Sequence, residues 1–194
     1  NSMEIIEDII KQVNSGNKMS ILLYALTPKI ENHLENIISA ILTRYKKIEL
    51  QNTIYTSMKE MIINGVKANI KRIFFEEHNL DVNDVGDYKF GIGVIKKRTS
   101  DEWIKEYGKK AKENNVKVQI TFSYNQNGLR IEVLNDTPLL EADERRIRKK
   151  LLEGRKYNDI VDYYKKHSDQ TEGEGLGLVL NLLLLKSENI DPSL

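Results

Sequence analysis

Apolar residues recur every three or four positions in two long stretches of the first half of the chain. In the first stretch, from Met19 to Tyr45, these positions are Leu23, Leu26, Ile30, Leu34, Ile37, Ile41 and Tyr45. The spacing predicts a helix with one apolar stripe, which Pro28 is expected to start or kink. Such a stripe either packs inside its own domain or forms the seam of a homodimer.

The second stretch predicts a helix from about Leu50 to Glu76. Its apolar positions are Ile54, Met58, Met61, Ile62, Val66, Ile70 and Ile73. Glu60, Asn64 and Lys67 are four and three residues apart, so they project from neighbouring turns of one helix face. They form either an ordinary polar surface cluster or a group able to hold a metal and a phosphate.

A β-hairpin is predicted in the second half of the chain. Apolar side chains alternate with polar ones at Val118, Ile120, Phe122 and Tyr124, and again at Leu129, Ile131 and Val133. The turn residues 126–128 separate the two runs, which is the pattern of two antiparallel strands. Asn135 follows directly after the second strand of this predicted hairpin.

The remaining segments carry weaker signals. Residues 3–13 predict a short amphipathic helix, residues 79–100 are rich in turn formers and predict loops, and Asp101 is a plausible N-cap for a helix reaching Asn114. The segment 138–172 is densely charged and helical in composition, with Gly154 as a break. Such a run is usually a solvated face, but its position before a glycine cluster also suits a mobile lid.

A glycine-rich turn precedes the most apolar run of the chain, Leu176–Leu185. Glycines at 173, 175 and 177 let the backbone bend tightly and let a large ligand approach. Because the following residues predict a helix, the turn would present free N–H groups at a helix start, where phosphate binds well. The alternative is a flexible hinge into a buried helix.

Composition narrows the possible functions. The 194 residues fit one domain or one domain with a helical appendage, and 30 Lys and Arg against 29 Asp and Glu suggest neither a nucleic-acid nor a membrane-surface partner. The absence of cysteine excludes disulfides and thiolate metal sites. No apolar run approaches the roughly 20 residues of a membrane helix. No signal peptide is evident at the N-terminus, so we expect a cytoplasmic protein without membrane insertion.

Three of these features together resemble the GHKL ATPases, which include histidine kinases, type II topoisomerases and anti-sigma-factor kinases. The helix Glu60–Asn69 resembles the family's N box. The strand Ile131–Leu134, with Asn135 after it, resembles the approach to the first glycine box. The run from Gly173 to Leu178 resembles the second glycine box in the form found in histidine kinases. The resemblance covers roughly residues 50–186.

The resemblance implies ATP and Mg²⁺ as ligands and assigns a role to each motif residue. Asn64 would coordinate the Mg²⁺ that bridges the phosphates, Glu60 would order that metal or its water as the candidate catalytic residue, and Lys67 would reach phosphate oxygens. Asn135 occupies the position of an Asp that accepts a hydrogen bond from the adenine amino group. The residues expected to cradle the phosphates are Gly173, Gly175, Leu176 and Gly177.

An Asn at position 135 differs from the family's Asp in its hydrogen bonding. Its amide has an acceptor and a donor, so a freely flipping Asn135 could accept from adenine or donate to guanine. On that hypothesis ATP would be preferred over GTP less strongly than with an Asp. The alternative is that Asn135 is only a turn residue at a strand end.

The fold implied is α+β, a two-layer α/β sandwich with helices on one face of a mixed sheet. Residues 1–49 would form an N-terminal helical segment that could serve dimerisation, and residues 50–194 would form the ATP-binding domain, with a lid at about 138–172. Three features depart from the family pattern. Residues 135–139 contain no glycine, the lid contains no phenylalanine, and the two strands expected after the glycine helix are not evident before residue 194.

Three functions remain open from the sequence. The first is a histidine-kinase-like domain that donates the γ-phosphoryl group to a histidine, with a response regulator or other signalling protein as partner. The one histidine on a helix before the ATP-binding domain is His33. The second is a nucleotide-sensing or scaffold module without catalysis, and the third an anti-sigma-type serine kinase. Dinucleotide binding is disfavoured, because a charged segment rather than a strand precedes the glycines.

Overall fold

The computed structural model describes residues 2–98, 100–167 and 176–192, which form an α+β fold. Eight helices and three strands lie within these ranges. In chain order they are α1 (Ser2–Ser15), β1 (Lys18–Leu23), α2 (Pro28–Arg44), α3 (Gln51–Glu77), α4 (Val85–Arg98), α5 (Asp101–Glu113), β2 (Val118–Asn125), β3 (Gly128–Asn135), α6 (Glu141–Gly154), α7 (Ile160–His167) and α8 (Leu176–Ser187). A short 3₁₀ turn, Ile48–Leu50, leads into α3. None of these helices is long and apolar enough to cross a membrane.

The three described strands form an antiparallel sheet in the order β1-β2-β3, where the resemblance implied a mixed sheet. The central strand β2 buries four alternating side chains in the main core: Val118, Ile120, Phe122 and Tyr124. The predicted hairpin is therefore confirmed. Helices α2 and α3 contribute to the same core, so one face of the sheet is covered by helices.

The apolar stripe of the first stretch is divided between a strand and a helix. Residues 18–23 form β1, so the helical prediction for that part is wrong, because the side chains of 19, 21 and 23 alternate and pair with those of β2. Helix α2 begins at Pro28, with Thr27 as its N-cap. Its stripe residues Leu34, Ile37 and Ile41 are fully buried in the chain's own core. The stripe therefore supplies no exposed seam, and the homodimer stays a prediction.

The N-terminal segment 1–49 is not purely helical, because it contributes β1 to the sheet. The predicted helices at 3–13, 50–76 and 101–114 are confirmed as α1, α3 and α5. Helix α5 is capped by Ser100, whose Oγ accepts a hydrogen bond from the Trp103 N–H at 3.2 Å, and Asp101 lies in the first turn. Gly154 ends α6 and is the predicted break.

The C-terminal end of α3 is tied to α5 through Glu77. Its carboxylate accepts hydrogen bonds from the Tyr107 hydroxyl at 3.0 Å and from the Lys110 ammonium at 2.9 Å. Burial raises the pKa of Tyr107 to about 12, and the bond to Glu77 adds to the effect. The hydroxyl therefore stays protonated, as a donor to Glu77, across the neutral range.

Helix α4 corrects the prediction that residues 79–100 are loops. Aspartates and glycines gave this segment a turn-like composition, but Asp84 instead accepts a hydrogen bond from the Asp87 N–H at the helix start. Gly91 then allows α4 to pack closely on α3, because a Cβ at this position would lie 2.5 Å from the ring of Phe75. Tertiary packing outweighs the low helix propensity of the segment.

Two glycines on α4 provide a matched test of this packing. We expect Gly91→Ala to destabilise the protein by about 1–3 kcal/mol, because the new methyl group meets the buried Phe75 ring. Gly93→Ala meets nothing within 4 Å and should stabilise by up to about 1 kcal/mol through helix propensity. Urea unfolding of both variants and the parent measures the difference. Equal effects of the two substitutions would contradict the packing of α4.

Candidate functional site

The predicted N-box residues lie together on α3. Asn64 and Lys67 are exposed, and Glu60 is half-buried one turn before Asn64. The Asn64 Nδ2 donates a hydrogen bond to Glu60 Oε1 at 3.3 Å. A carboxylate only accepts, so this bond sets the orientation of the amide and leaves Asn64 Oδ1 as an outward oxygen. An outward amide oxygen is a suitable ligand for a hard cation such as Mg²⁺.

The start of α8 lies against Glu60. A Cβ at Gly177 would be 2.0 Å from Glu60 Oε1, so no larger residue fits there while Glu60 keeps its position. The contact brings one glycine of the second glycine box beside the N box. Gly173 and Gly175 lie outside the described residues, as does the side chain of Leu176.

Two further contacts hold α8 along α3. The Asn181 Nδ2 donates to the Ser57 carbonyl at 3.2 Å, and the hydroxyl of the buried Thr53 donates to Glu188 at 3.1 Å. These contacts lie at the middle and the C-terminal end of α8, and they fix its register on α3. The position of Gly177 next to Glu60 follows from that register.

Asn135 ends β3 and reaches α3 from the sheet side. Its Cβ lies 3.4 Å from where a Cβ of Gly65 would be, so the glycine after Asn64 allows the strand end to approach the helix. The Asn135 side chain is exposed, and its Nδ2 donates to the Thr137 carbonyl at 3.2 Å and to Asn69 Oδ1 at 3.5 Å. The structure therefore places Asn135 beside the N-box helix, with its amide nitrogen bonded within the chain.

Asn69 is the residue that the sequence analysis missed. It is only 1% exposed, its Nδ2 donates to the Lys117 carbonyl at 3.1 Å, and its Oδ1 accepts from the Thr137 hydroxyl at 2.7 Å. The sequence did indicate that Asn69 is buried. It lies three residues after Val66 and four before Ile73, on the buried face of α3. A polar residue at such a position requires hydrogen-bond partners, and here they come from distant parts of the chain.

The start of the predicted lid is anchored to α3. Lys71 forms an ion pair with Asp143 on α6 at 3.2 Å, with both side chains mostly buried at 19% and 14% exposure. The Lys71 ammonium also lies 5.4 Å from the ring centre of Tyr88 on α4. On the outer side of α6, the pairs Glu141–Arg145 and Glu144–Arg148 are solvent-exposed, as expected for a solvated charged face.

No alternative metal or ligand centre is evident in the described ranges. No group of three or more His, Cys, Asp or Glu side chains there could hold a metal ion. A shallow cleft of about 340 Å³ at the start of α3 contains none of the predicted site residues. Its lining residues are Glu35, Ile48, Glu49, Gln51, Asn52 and Tyr55.

Comparison with known proteins finds a relative, but its name states no activity. No family model matches the chain, and no solved structure matches it. A protein of Treponema pallidum (strain Nichols), called "Uncharacterized protein", is 28% identical over 185 residues. The match covers 95% of this chain but 36% of the relative. The chain thus spans about a third of the length of this relative.

The contact between Gly177 and Glu60 predicts an energetic coupling between the two motifs. We expect Gly177→Ala to add less stability than alanine usually gives a helix, because the methyl group displaces the flexible Glu60 side chain from Asn64. In a Glu60→Ala background the same change should give the full gain, since the clash is gone. Urea unfolding of the four proteins in this cycle should give a coupling of about 0.5 kcal/mol. Purely additive effects would show that the two residues do not touch.

Proposed function

We propose that this chain binds ATP with Mg²⁺ as the nucleotide-binding domain of a histidine-kinase-like protein. The observation that carries the proposal is the packing of Gly177 on Glu60 beside Asn64, which joins two motifs far apart in sequence. Asn135 reaches the same helix from the strand that precedes the first glycine box. In this proposal the sheet and its helices are the two layers of the family's α/β sandwich.

Each site residue then has a role that follows from its position. Asn64 Oδ1 supplies one ligand to Mg²⁺, and nucleotide phosphates and water supply the others, as is usual for this ion. Glu60 holds the Asn64 amide and thereby aims its oxygen outward. The exposed Lys67 provides a positive charge for phosphate oxygens. The N-terminus of α8 favours the same anionic groups through the helix dipole.

Phosphoryl transfer to a histidine is the first candidate activity, with a response regulator or other signalling protein as its onward partner. The chain would act mainly by positioning the nucleotide and neutralising its charge. The candidate acceptor His33 is half-buried on α2, which packs in the main core, so a second chain is a better source of the acceptor histidine.

Nucleotide sensing without catalysis is the second candidate. The observation in its favour is the segment that replaces the first glycine box. Asn135 and Thr137 are both hydrogen-bonded to the buried Asn69, so this segment is pinned to α3 where the family has flexible glycines. A segment held to α3 by hydrogen bonds is suited to stable nucleotide binding. It is less suited to the lid movement that catalytic turnover requires.

The role of Asn64 predicts a magnesium-dependent effect on stability. Saturating ATP with Mg²⁺ should raise the free energy of unfolding by about 2–3 kcal/mol at one hundred times the dissociation constant. Asn64→Ala should lose the part of this gain that EDTA removes from the parent. Asn52→Ala, which changes an exposed Asn on the same helix, should keep it.

Differential scanning calorimetry of the parent and both variants, with ATP and either Mg²⁺ or EDTA, makes the comparison. A parent protein whose melting temperature is unchanged by ATP and Mg²⁺ would overturn the proposal. Incubation with γ-labelled ATP then separates the activities. An acid-labile label indicates a phosphohistidine and an acid-stable label a phosphoserine, whereas binding without labelling indicates either a sensor or a kinase whose acceptor lies on a second chain.

A further inference from the structure

Helix α1 carries more apolar surface than the rest of the chain covers. Ile9 and Val13 are buried in the main core, at 3% and 0% exposure. Four other apolar side chains of the helix are between 38% and 69% exposed: Met3, Ile5, Ile6 and Ile10. Single exposed apolar residues are ordinary on a protein surface, but several on one short helix indicate an interaction surface. These four residues are called the apolar face of α1 below.

Helix α4 has an exposed face of different composition. Gly93 lies at its centre, with two residues one turn before it and two one turn after it: Lys89, Phe90, Lys96 and Lys97. The three lysines are exposed, and Phe90 is 61% exposed. These five residues are called the basic face of α4 below. A large aromatic ring among lysines suits a partner surface that is both apolar and acidic.

The glycine at the centre of this face has no packing role within the described part of the chain. A Cβ at Gly93 would meet nothing within 4 Å there, whereas a Cβ at Gly91 would meet Phe75. A glycine inside a helix costs about 1 kcal/mol relative to alanine. Because a glycine also lets another backbone approach closely, a partner lying on this face would give Gly93 a role.

Charge decides which of the two faces can pair. Helix α1 contains three acidic residues and one lysine, a net charge of −2, and helix α4 contains four basic residues and one aspartate, a net charge of +3. Pairing α1 with α1 of a second copy, or α4 with α4, would bring like charges together. Pairing α1 with α4 of a second copy joins opposite charges and covers apolar side chains on both helices.

We propose that this chain forms a homodimer in which α1 of each copy lies on the basic face of α4 of the other. Each helix has 14 residues and is about 21 Å long, so one such contact is smaller than the roughly 800 Å² per partner of a standard interface. A two-fold axis forms the contact twice and thereby doubles the buried area. The dimer uses neither the buried stripe of α2 nor a residue of the candidate nucleotide site.

Sedimentation velocity of the full chain over a concentration series measures the association. We expect the parent to dimerise with a dissociation constant on the order of 10 µM, as for a small interface. Phe90→Ala should raise this constant by about tenfold or more, because exposed aromatic residues are frequent binding hot spots. Leu152→Ala on α6 is the matched control. Leu152 is 60% exposed, and its loss should change the constant by less than about twofold.

Charge reversal tests the pairing of α1 with α4. Lys89→Glu with Lys97→Glu, and separately Glu7→Lys with Asp8→Lys, should each weaken self-association by about tenfold or more, because like charges then face each other. An equimolar mixture of the two variants should dimerise about as tightly as the parent, since both contacts between unlike copies again join opposite charges. A variant that merely failed to fold would not regain association on mixing.

A third pair of substitutions separates a local contact from a general effect of net charge. Lys105→Glu with Lys109→Glu changes the net charge by the same amount on the exposed side of α5. This variant should dimerise within about twofold of the parent, because its charges lie outside the proposed contact.

Two results would overturn the inference. A parent that remains monomeric at roughly 200 µM, well above the expected constant, would show that the two faces do not pair with each other. A dimer that both charge reversals leave intact would have its interface elsewhere. Neither result bears on nucleotide binding, which a monomer could still perform.

Discussion

The packing of α3 against the hairpin is the constraint on which the rest of this structure depends. Gly65 lets the helix approach Val118 of β2, because a Cβ there would lie 3.2 Å from the valine side chain. Four residues later, the buried Asn69 must find partners for its amide, and the Lys117 carbonyl and the Thr137 hydroxyl provide them. A shift of the helix along the sheet would break these bonds inside the core, where an unpaired amide costs about 1–3 kcal/mol.

Several parts of the molecule take their positions from α3. The strand end at Asn135 lies over Gly65, α6 is anchored through Lys71 and Asp143, and α8 lies along the helix. The helical turn of α3 that carries the exposed Asn64 lies between the end of β3 and the start of α8. The candidate site is therefore assembled from separate motifs on one helix, an arrangement that favours precise positioning of a ligand.

The sequence predicted those elements whose pattern is local and regular. Helices α1, α3 and α5 and the β2–β3 hairpin follow from periodicity and from turn or capping residues. Strand β1 was missed because Met19 and Leu23 are four residues apart and so fit the helical stripe that follows, although Ile21 between them also faces inward. Helix α4 was missed because its composition favours turns, and it is tertiary packing, including the close approach of Gly91 to Phe75, that stabilises it as a helix.

The candidate site was predictable only as separate motifs. Glu60 and Asn64 share a helix face by their spacing alone, but their closeness to Gly177 was implied only by the resemblance, and the direct contact of Glu60 with Gly177 is evident only in the structure. The role of Asn69 could not be predicted, because its partners at Lys117, Asn135 and Thr137 are distant in sequence and follow from the tertiary packing.

Hydrogen–deuterium exchange with mass spectrometry, in the presence and absence of ADP and Mg²⁺, tests the central claim most directly. The claim is that α3, the end of β3 and the start of α8 form one nucleotide site. It predicts that the nucleotide slows exchange together in peptides covering residues 60–67, 133–138 and 173–180. Slowed exchange confined to other regions, or none at saturating nucleotide, would contradict it.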